Sequence, residues 1–221
     1  MLSGKIETIL WDWNGTLLND VDHCINSMNM LLKTRNLNPL DKARYLNVFT
    51  FPVKTYYEAL GFDFVKEAFE IPAEEFIVHY NRGFEKVPIF DDVTETLEYF
   101  RSAGVKQYII SAMEHNALVR SVEDRGIATY FSIINGISDN LAYGKVSMAK
   151  GLFIRDRINP ATTLLVGDTL HDIEVATELG VRSILIARGH QSRSRLAAGN
   201  TMIFESLTEF RQSIKQEKEN P

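Results

Sequence analysis

The chain has 221 residues, of which 45% are hydrophobic and 24% are charged, a composition typical of a folded globular protein. Its formal net charge of -5 at pH 7 argues against nucleic acid as a partner, because such binding depends on clustered lysine and arginine. The single cysteine, Cys24, excludes an internal disulfide framework and favours a reducing compartment. No apolar run approaches the roughly 20 residues that a membrane helix needs, so we expect a cytoplasmic protein that does not bind a membrane.

The first predicted element is a short strand, "KIETIL", near the N-terminus. The segment from about residue 18 to residue 83 shows little strand pattern after it. Three stretches in this segment instead predict helices: "HCINSMNMLLKTRN", "VKTYYEALG" and "AEEFIVHYNRGF". Proline and glycine residues separate them, as expected for the ends of helices. The sequence therefore predicts a helical insertion directly after the first strand.

From about Phe90 onward, short apolar segments typical of buried strands alternate with helical patterns. The predicted strands span residues 105–110, 131–134, 163–167, 182–187 and 202–204. Such alternation predicts right-handed crossovers and a mostly parallel sheet. We therefore predict an α/β fold, in which a Rossmann-like parallel sheet with helices on both faces forms a core of residues 1–17 and 84–221. An inserted α-helical domain is expected at residues 18–83.

Polar residues follow these predicted strands where they end. Asp12 follows the first strand, Ser111 the second, and Asp168 and Asp172 follow "LLVG", while Lys145 is expected in the loop after "FSII". Because the carboxyl ends of parallel strands form one edge of the sheet, these residues should lie close together. Clustered acids repel one another unless a cation lies between them. Mg²⁺ suits the position, since it is typically held by one or two carboxylates and a substrate phosphate.

The same residues indicate a reaction. A carboxylate can attack phosphorus and form an aspartyl-phosphate. Metal, lysine and preorganised donors, including the backbone N–H groups of the turn Trp13-Asn14-Gly15-Thr16, can neutralise the charge of the transferring group. We therefore expect a small phosphorylated substrate as the partner of this site.

Four short motifs also resemble those of a known family, in the same order along the chain. "DWNGT" resembles the pattern Asp-x-Asp-Gly-Thr, Ser111 in "IISAMEHN" a second motif, Lys145 in "YGK" a third, and "VGDTLHD" the pattern Gly-Asp-x-x-x-Asp. These are the motifs of the haloacid dehalogenase (HAD) superfamily, and the chain resembles its phosphoglycolate-phosphatase-like branch, which has a helical cap. The resemblance implies a phosphatase whose cap closes over an α/β core.

The resemblance implies a role for each matching residue around the metal. Asp12 would be the nucleophile and a ligand of Mg²⁺. The backbone carbonyl of Asn14 and the carboxylate of Asp168 would be further ligands. Asp172 would hold a metal-bound water or Lys145.

The resemblance also implies a phosphate site. Ser111 would donate a hydrogen bond to a phosphoryl oxygen, and Lys145 would neutralise both nucleophile and phosphate. The backbone groups of Asn14, Gly15 and Ala112 would complete the contacts to the phosphate.

Position 14 departs from the phosphatase pattern, in which an acid stands two residues after the nucleophile. That acid protonates the leaving group and then activates water, and such help is typically worth ~10²–10⁴-fold in rate. Asparagine cannot exchange protons near neutral pH. If this loss limits the reaction, Asn14→Asp should raise phosphatase activity.

Three hypotheses follow from Asn14. The first is a phosphatase that is slow, or specialised for a substrate with a good leaving group. The second is a C–P bond hydrolase resembling phosphonoacetaldehyde hydrolase, whose first motif also lacks this acid and which forms a Schiff base with a cap lysine. The expected cap contains four candidates for such a lysine, namely Lys33, Lys42, Lys54 and Lys66. The third is a non-catalytic protein that binds a phosphorylated ligand.

Other features of the sequence are less specific. The dehalogenase branch resembles the chain in fold but does not use the metal acids, so Asp168 and Asp172 favour phosphoryl chemistry. The basic stretch "ARGHQSRSR" (187–195) is expected to be a solvated surface, with attraction of an anionic substrate as the alternative. We expect a monomer or a homodimer.

Overall fold

A computed structural model describes residues 4–137 and 144–219, without the side chains of residues 144, 145, 147, 148, 218 and 219. Within this part of the chain, six parallel strands form one sheet: β1 (Thr8–Trp11), β2 (Lys106–Glu114), β3 (Ile133–Ile137), β4 (Thr163–Gly167), β5 (Arg182–Ile186) and β6 (Met202–Phe204). The strand order is β3-β2-β1-β4-β5-β6. The first strand of the chain therefore lies in the middle of the sheet, where the order of strands reverses and ligand sites of such folds are found.

The two faces of the sheet each pack against an apolar layer. In β1, Ile9 and Trp11 belong to one buried cluster, and Leu10 belongs to another on the opposite face. This division follows from the two-residue period of a strand. A strand buried on both faces needs helices on both faces, and this confirms the predicted α/β class.

Helices follow the strands around the sheet. Those associated with it are α5 (Val93–Ser102), α6 (His115–Asp124), α7 (Gly144–Asp156), α8 (Leu170–Leu179), α9 (Arg193–Leu196) and α10 (Leu207–Glu219). Short 3₁₀ turns span Phe84–Lys86, Ala128–Tyr130, Pro160–Thr162 and Ala197–Gly199. In the described residues, no helix has the length and apolar character that crossing a membrane requires.

Four helices follow β1 in the chain before α5 and β2, and we call them the inserted helices. They are α1 (Val21–Thr34), α2 (Lys42–Val48), α3 (Val53–Leu60) and α4 (Glu70–Asn81). They bury an apolar cluster of their own, built on residues such as Met28, Leu31 and Tyr57. The helical character predicted for this segment is thus observed, and the domain limits at residues 18 and 83 stay a prediction.

Some predicted element limits differ from the structure. Strand β2 continues to Glu114, so Ser111 lies inside a strand, at an irregularity in its register with β3, and not after its end. Helix α8 begins at Leu170 with Thr169 as its N-cap, so Asp172 stands in the first turn. Lys145 is the second residue of α7 and not part of a loop.

Candidate active site

The loop after β1 is fixed against the neighbouring strand and against Asp168. The N–H of Asp12 donates to the carbonyl of Val166 over 2.9 Å, which aligns the loop with β4. The Thr16 hydroxyl donates to Asp168 Oδ1 over 3.0 Å. A Cβ at Gly15 would lie 2.3 Å from Asp168 Oδ2, so only glycine permits this close approach. These contacts bring the two motifs together although they are far apart in the sequence.

Three carboxylates meet at this edge of the sheet. Asp12, Asp168 and Asp172 each place an oxygen within 4.8 Å of the others, and all three are buried. Asp168 Oδ2 also accepts a hydrogen bond of 2.6 Å from the backbone N–H of His190. Asp172 Oδ2 accepts one of 2.8 Å from the Thr169 hydroxyl. The convergence expected from the strand ends is therefore present, and the group has the hard oxygen donors that a divalent cation prefers.

The electrostatics of this acidic cluster favour a bound cation or proton. Burial, followed by the charges of Asp12 and Asp172, raises the pKa of Asp168 to about 8, although the nearby charge of His190 opposes this. Without a cation, Asp168 therefore carries a proton near neutral pH. A divalent cation in the cluster would release that proton and relieve the repulsion.

The structure describes two of the residues expected to contact the phosphate, Ser111 and Ala112. Ser111 is 1% exposed, and its oxygen accepts a hydrogen bond of 3.1 Å from the N–H of Met113. Ser111 and Ala112 line the same cavity as the acids. The side chain of Lys145 lies outside the described part of the structure, so its predicted role is untested.

The side chain of Asn14 contacts Asp20, the residue before α1, and Tyr80 of α4. Its Nδ2 donates to Asp20 Oδ2 over 2.8 Å and to the Tyr80 hydroxyl over 2.9 Å. Tyr80 in turn donates to Asp20 Oδ2 over 2.7 Å. The amide of Asn14 therefore acts as a hydrogen-bond donor to a buried carboxylate, a role that an aspartate at this position could fill only in its protonated form.

Asp20 and His190 form a buried ion pair beside this contact. His190 Nε2 lies 3.3 Å from Asp20 Oδ1, and the other ring nitrogen is 2.7 Å from the Tyr45 hydroxyl. Burial lowers the pKa of His190, but the charge and hydrogen bond of Asp20, together with the charges of Asp168 and Asp12, outweigh burial and raise that pKa to about 9. Burial raises the pKa of Asp20, but His190 and the hydrogen bonds from Asn14 and Tyr80 hold it well below its usual range. The pair is charged near neutral pH.

Cys24 lies next to the same pair, and these three residues could form a second cluster of metal-ligating groups. Burial and the charge of Asp20 raise the pKa of the Cys24 thiol well above its ordinary value. The protonated thiol donates to Asp20 Oδ2 over 3.4 Å. The geometry thus describes a hydrogen-bonded ion pair and does not favour a thiolate metal site.

The sequence did not identify Asp20 or His190 as site residues. His190 is 4% exposed and Gln191 is 3% exposed, so the expectation that residues 187–195 form a solvated surface is wrong at this point. The loop after β5 turns inward because the His190 N–H and ring bind the acids of the site. The sequence signal that could have identified His190 was its position shortly after a predicted strand.

A cavity of about 260 Å³ lies between the acidic cluster and the inserted helices. The described lining includes Asp12, Asp168 and Ser111 from the sheet and aromatic residues from the inserted helices. None of the four lysines considered for a Schiff base is in this lining. Lys42 pairs with Asp22, Lys66 pairs with Asp63, and Lys54 lies over the ring of Phe64.

Known proteins resemble the chain over most of its length. Phosphoglycolate phosphatase of Synechococcus elongatus is 21% identical over 214 residues, covering 96% of this chain and 98% of that protein. Pyrophosphatase PpaX of Bacillus cereus is 25% identical over 202 residues, covering 88% of this chain and 89% of that protein. The structure of the haloacid dehalogenase-like protein SP0104 from Streptococcus pneumoniae superposes with a TM-score of 0.81 at 19% identity, covering 95% of this chain and 98% of that one.

A family model described as "Haloacid dehalogenase-like hydrolase" matches residues 9–186, which include the loop after β1, Ser111 and the acids after β4. The match covers most of the chain and includes Asp12, Ser111, Asp168 and Asp172, which the fold brings to one cavity. The chain therefore belongs to the haloacid dehalogenase-like hydrolase family.

Proposed function

We propose that this hydrolase is a Mg²⁺-dependent phosphatase that acts on a small phosphorylated metabolite through an aspartyl-phosphate at Asp12. The observation that carries the proposal is the group of three buried carboxylates within 4.8 Å of one another beside a cavity. The phosphatase and pyrophosphatase among its relatives support the same reaction class.

The residues present fit Mg²⁺. The donors are carboxylate oxygens, and Asp168 has a pKa raised to about 8 by burial and neighbouring acids, a conflict that a cation relieves. Asp12, Asp168 and the backbone carbonyl of Asn14 would hold the ion. When bound, it would neutralise charge on the phosphoryl group that is transferred.

The chain's own residues would carry out the two chemical steps. A carboxylate oxygen of Asp12 forms a bond to phosphorus while the bond from phosphorus to the ester oxygen breaks. The leaving oxygen keeps the electron pair and takes a proton from water. Water then attacks the phosphorus of the aspartyl-phosphate, the Asp12 carboxylate leaves, and inorganic phosphate is released.

Other residues would bind and position the reacting groups. Ser111 would donate to a phosphoryl oxygen, with Lys145 and the N–H groups of Gly15 and Ala112 as further contacts. Asp172 accepts hydrogen bonds from the N–H of Thr169 and so fixes the loop that carries Asp168. We assign Asp172 this positioning role.

Asn14 sets a limit on the chemistry. Its amide donates to Asp20 and Tyr80 and has no proton to give to a leaving group. Position 14 therefore gives the leaving oxygen no proton, and in this proposal solvent supplies it. Substrates with acidic leaving groups lose least from this arrangement.

The inserted helices would act as a cap that closes over the cavity and excludes bulk water. We propose residues 18–83 as this cap domain and the remainder as the core. The single buried cysteine agrees with a reducing, cytoplasmic environment.

A steady-state assay with phosphate monoesters and acyl phosphates tests the function. We expect turnover with Mg²⁺, loss of turnover in EDTA, and no turnover by Asp12→Asn. Full activity of Asp12→Asn would refute the aspartyl-phosphate. Tight Mg²⁺-dependent phosphate binding without turnover by the unmodified protein would identify a phospho-ligand-binding protein instead.

A further inference from the structure

The wall of the cavity opposite the acids is aromatic. Its rings come mainly from the inserted helices and the loops that join them: Phe49, Phe51, Tyr56, Tyr57, Phe76 and Tyr80. Met28 and Met113 add further apolar surface to the lining. A cavity lined in this way gains most from a ligand that is itself apolar over much of its surface.

Four of these rings, Phe49, Phe51, Tyr56 and Tyr57, form a contiguous set of ring contacts. The centroids of Phe49 and Tyr56 are 5.3 Å apart at 66°, and those of Phe49 and Phe51 are 5.5 Å apart at 80°. Phe51 stacks on His171 at 4.7 Å, which joins the aromatic wall to the helix that carries Asp172. Such edge-to-face surroundings favour a further planar ring.

Two buried polar atoms of residues in the lining lack a hydrogen-bond partner among the described residues. They are the hydroxyl oxygen of Tyr56, a residue that is 3% exposed, and Nε2 of His171. A buried polar group without a partner is costly, so a ligand that supplies one is favoured. Burial raises the pKa of Tyr56, so the hydroxyl stays protonated and can donate.

The described lining contains more acidic than basic side chains. Its ionisable side chains other than tyrosine and Cys24 are four aspartates and two histidines. Of these, His190 is already paired with Asp20. The described lining contains no lysine or arginine that could pair with a carboxylate or second phosphate on the leaving group, and a neutral leaving group needs no such partner.

We propose that the substrate is an aryl phosphate, the phosphate monoester of a neutral aromatic hydroxyl compound. The phosphate lies at the acidic cluster, and the ring lies against the aromatic wall with a polar substituent near Tyr56. This inference rests on the proposed phosphatase function and names its substrate class. The presence of asparagine at position 14 agrees with this substrate class. A phenol has a pKa of about 10 and therefore leaves with less proton assistance than an alkyl alcohol.

Binding of phosphonates tests the inference without requiring turnover. Titration calorimetry with Mg²⁺ would compare benzylphosphonate, which carries a ring, with phosphonoacetate, which carries a second anion. We expect benzylphosphonate to bind about tenfold more tightly or better, as burying one ring predicts. Equal affinities, tighter binding of phosphonoacetate, or binding of neither compound would overturn the proposal.

Two variants separate the aromatic wall from general effects on the inserted helices. Phe51→Ala should weaken benzylphosphonate by about tenfold and leave phosphonoacetate unchanged. Phe69→Ala is the control for loss of a ring, because Phe69 packs against the apolar cluster of the inserted helices but is not in the lining. Equal weakening of both ligands by Phe51→Ala would contradict the proposed contact.

Kinetics distinguish failure of the inference from failure of the proposed function. We expect kcat/KM for phenyl phosphate to exceed that for phosphoglycolate by about tenfold or more. Faster hydrolysis of phosphoglycolate would overturn the substrate class and leave the phosphatase function standing. Hydrolysis of neither these esters nor an acyl phosphate would refute the function, while the phosphonate affinities would still decide whether the cavity selects a ring.

Discussion

Replacing Asn14 by aspartate should destabilise the protein, even though the substitution restores the residue that the phosphatase pattern contains. The change removes the amide that donates to Asp20 Oδ2 over 2.8 Å and to the Tyr80 hydroxyl over 2.9 Å. It also places a second carboxylate against Asp20, which is 0% exposed. The buried contact between the loop after β1 and the inserted helices is therefore the part of the molecule that is affected.

The structure sets the size of the effect. Loss of a hydrogen bond to a charged group costs about 1.5–3 kcal/mol. Two carboxylates about 4 Å apart repel by about 4 kcal/mol at an effective dielectric constant of about 20. Protonation of the new carboxyl avoids part of this repulsion and allows it to donate to Asp20. We therefore expect a loss of about 2–5 kcal/mol in the free energy of unfolding, smallest at low pH.

The sign of the pH dependence follows from linkage. The new carboxyl at position 14 should have a folded-state pKa above its unfolded value, because it lies beside Asp20 in a buried position. Its cost is therefore small at a pH near the unfolded value of about 4 and grows as the pH rises through the folded-state pKa. Asn14→Ala removes the donor without adding a charge, so its cost should not change with pH in this way.

Urea unfolding at pH 5 and pH 8 without Mg²⁺ measures this prediction. The variants are Asn14→Asp, Asn14→Ala, Asp20→Asn and the exchange Asn14→Asp/Asp20→Asn. In the exchanged pair an amide can again donate to a carboxylate, so the double variant should lose less stability than the sum of the single variants, by about 1 kcal/mol or more. Additive effects, or an Asn14→Asp protein as stable as the parent at pH 8, would refute the reasoning. Turnover of an aryl phosphate by the same variants would show whether the gain expected from sequence appears only when Asp20 is also changed.

Three further predictions concern the acidic cluster. Asp12→Asn should abolish phosphatase turnover while the protein still unfolds cooperatively, and measurable single-turnover hydrolysis would contradict this. In the metal-free protein, Asp168 has a pKa raised to about 8, so its contribution to stability falls as pH rises through that value, and Mg²⁺ should restore it. The Tm increase caused by Mg²⁺ should therefore grow between pH 6 and pH 9. This pH dependence should be lost in Asp168→Asn. A Tm increase that does not change with pH in the parent would count against Asp168 as a Mg²⁺ ligand. Gly15→Ala would place a Cβ 2.3 Å from Asp168 Oδ2 and should remove the Tm increase caused by Mg²⁺. Gly83→Ala is the control, because Gly83 has a similar φ of 78° and open space around it, and it should cost only about 1 kcal/mol of backbone strain. Equal effects of the two substitutions would exclude the collision with Asp168 as the cause.

Much of the fold could be predicted because its signal is local. The apolar runs of the sheet are short, buried and separated by helical patterns, and they give both the α/β class and the edge at which the acids meet. The limits of elements were less accurate where a backbone hydrogen bond decides them. Thr169 caps α8 and Asp172 binds its N–H, a pairing that places the start of the helix at Leu170.

The rest of the site depends on contacts that no local pattern encodes. Tyr80 lies 66 residues from Asn14 along the chain, and His190 lies 145 residues from Tyr45, yet hydrogen bonds join each pair. The sequence shows an asparagine where a proton donor is expected, and it cannot show what the amide contacts.

The structure changes how the asparagine at position 14 is understood. Considered by its motif alone, Asn14 is a loss, because a proton donor is missing. Considered with Asp20, the amide is the donor in a buried network, and the network also holds the His190 loop that binds Asp168. A chain that uses position 14 in this way gives up proton transfer to the leaving group at that residue. An enzyme built on it works best on substrates whose leaving group needs no proton, and an aromatic cavity beside the acids is where such a group would bind.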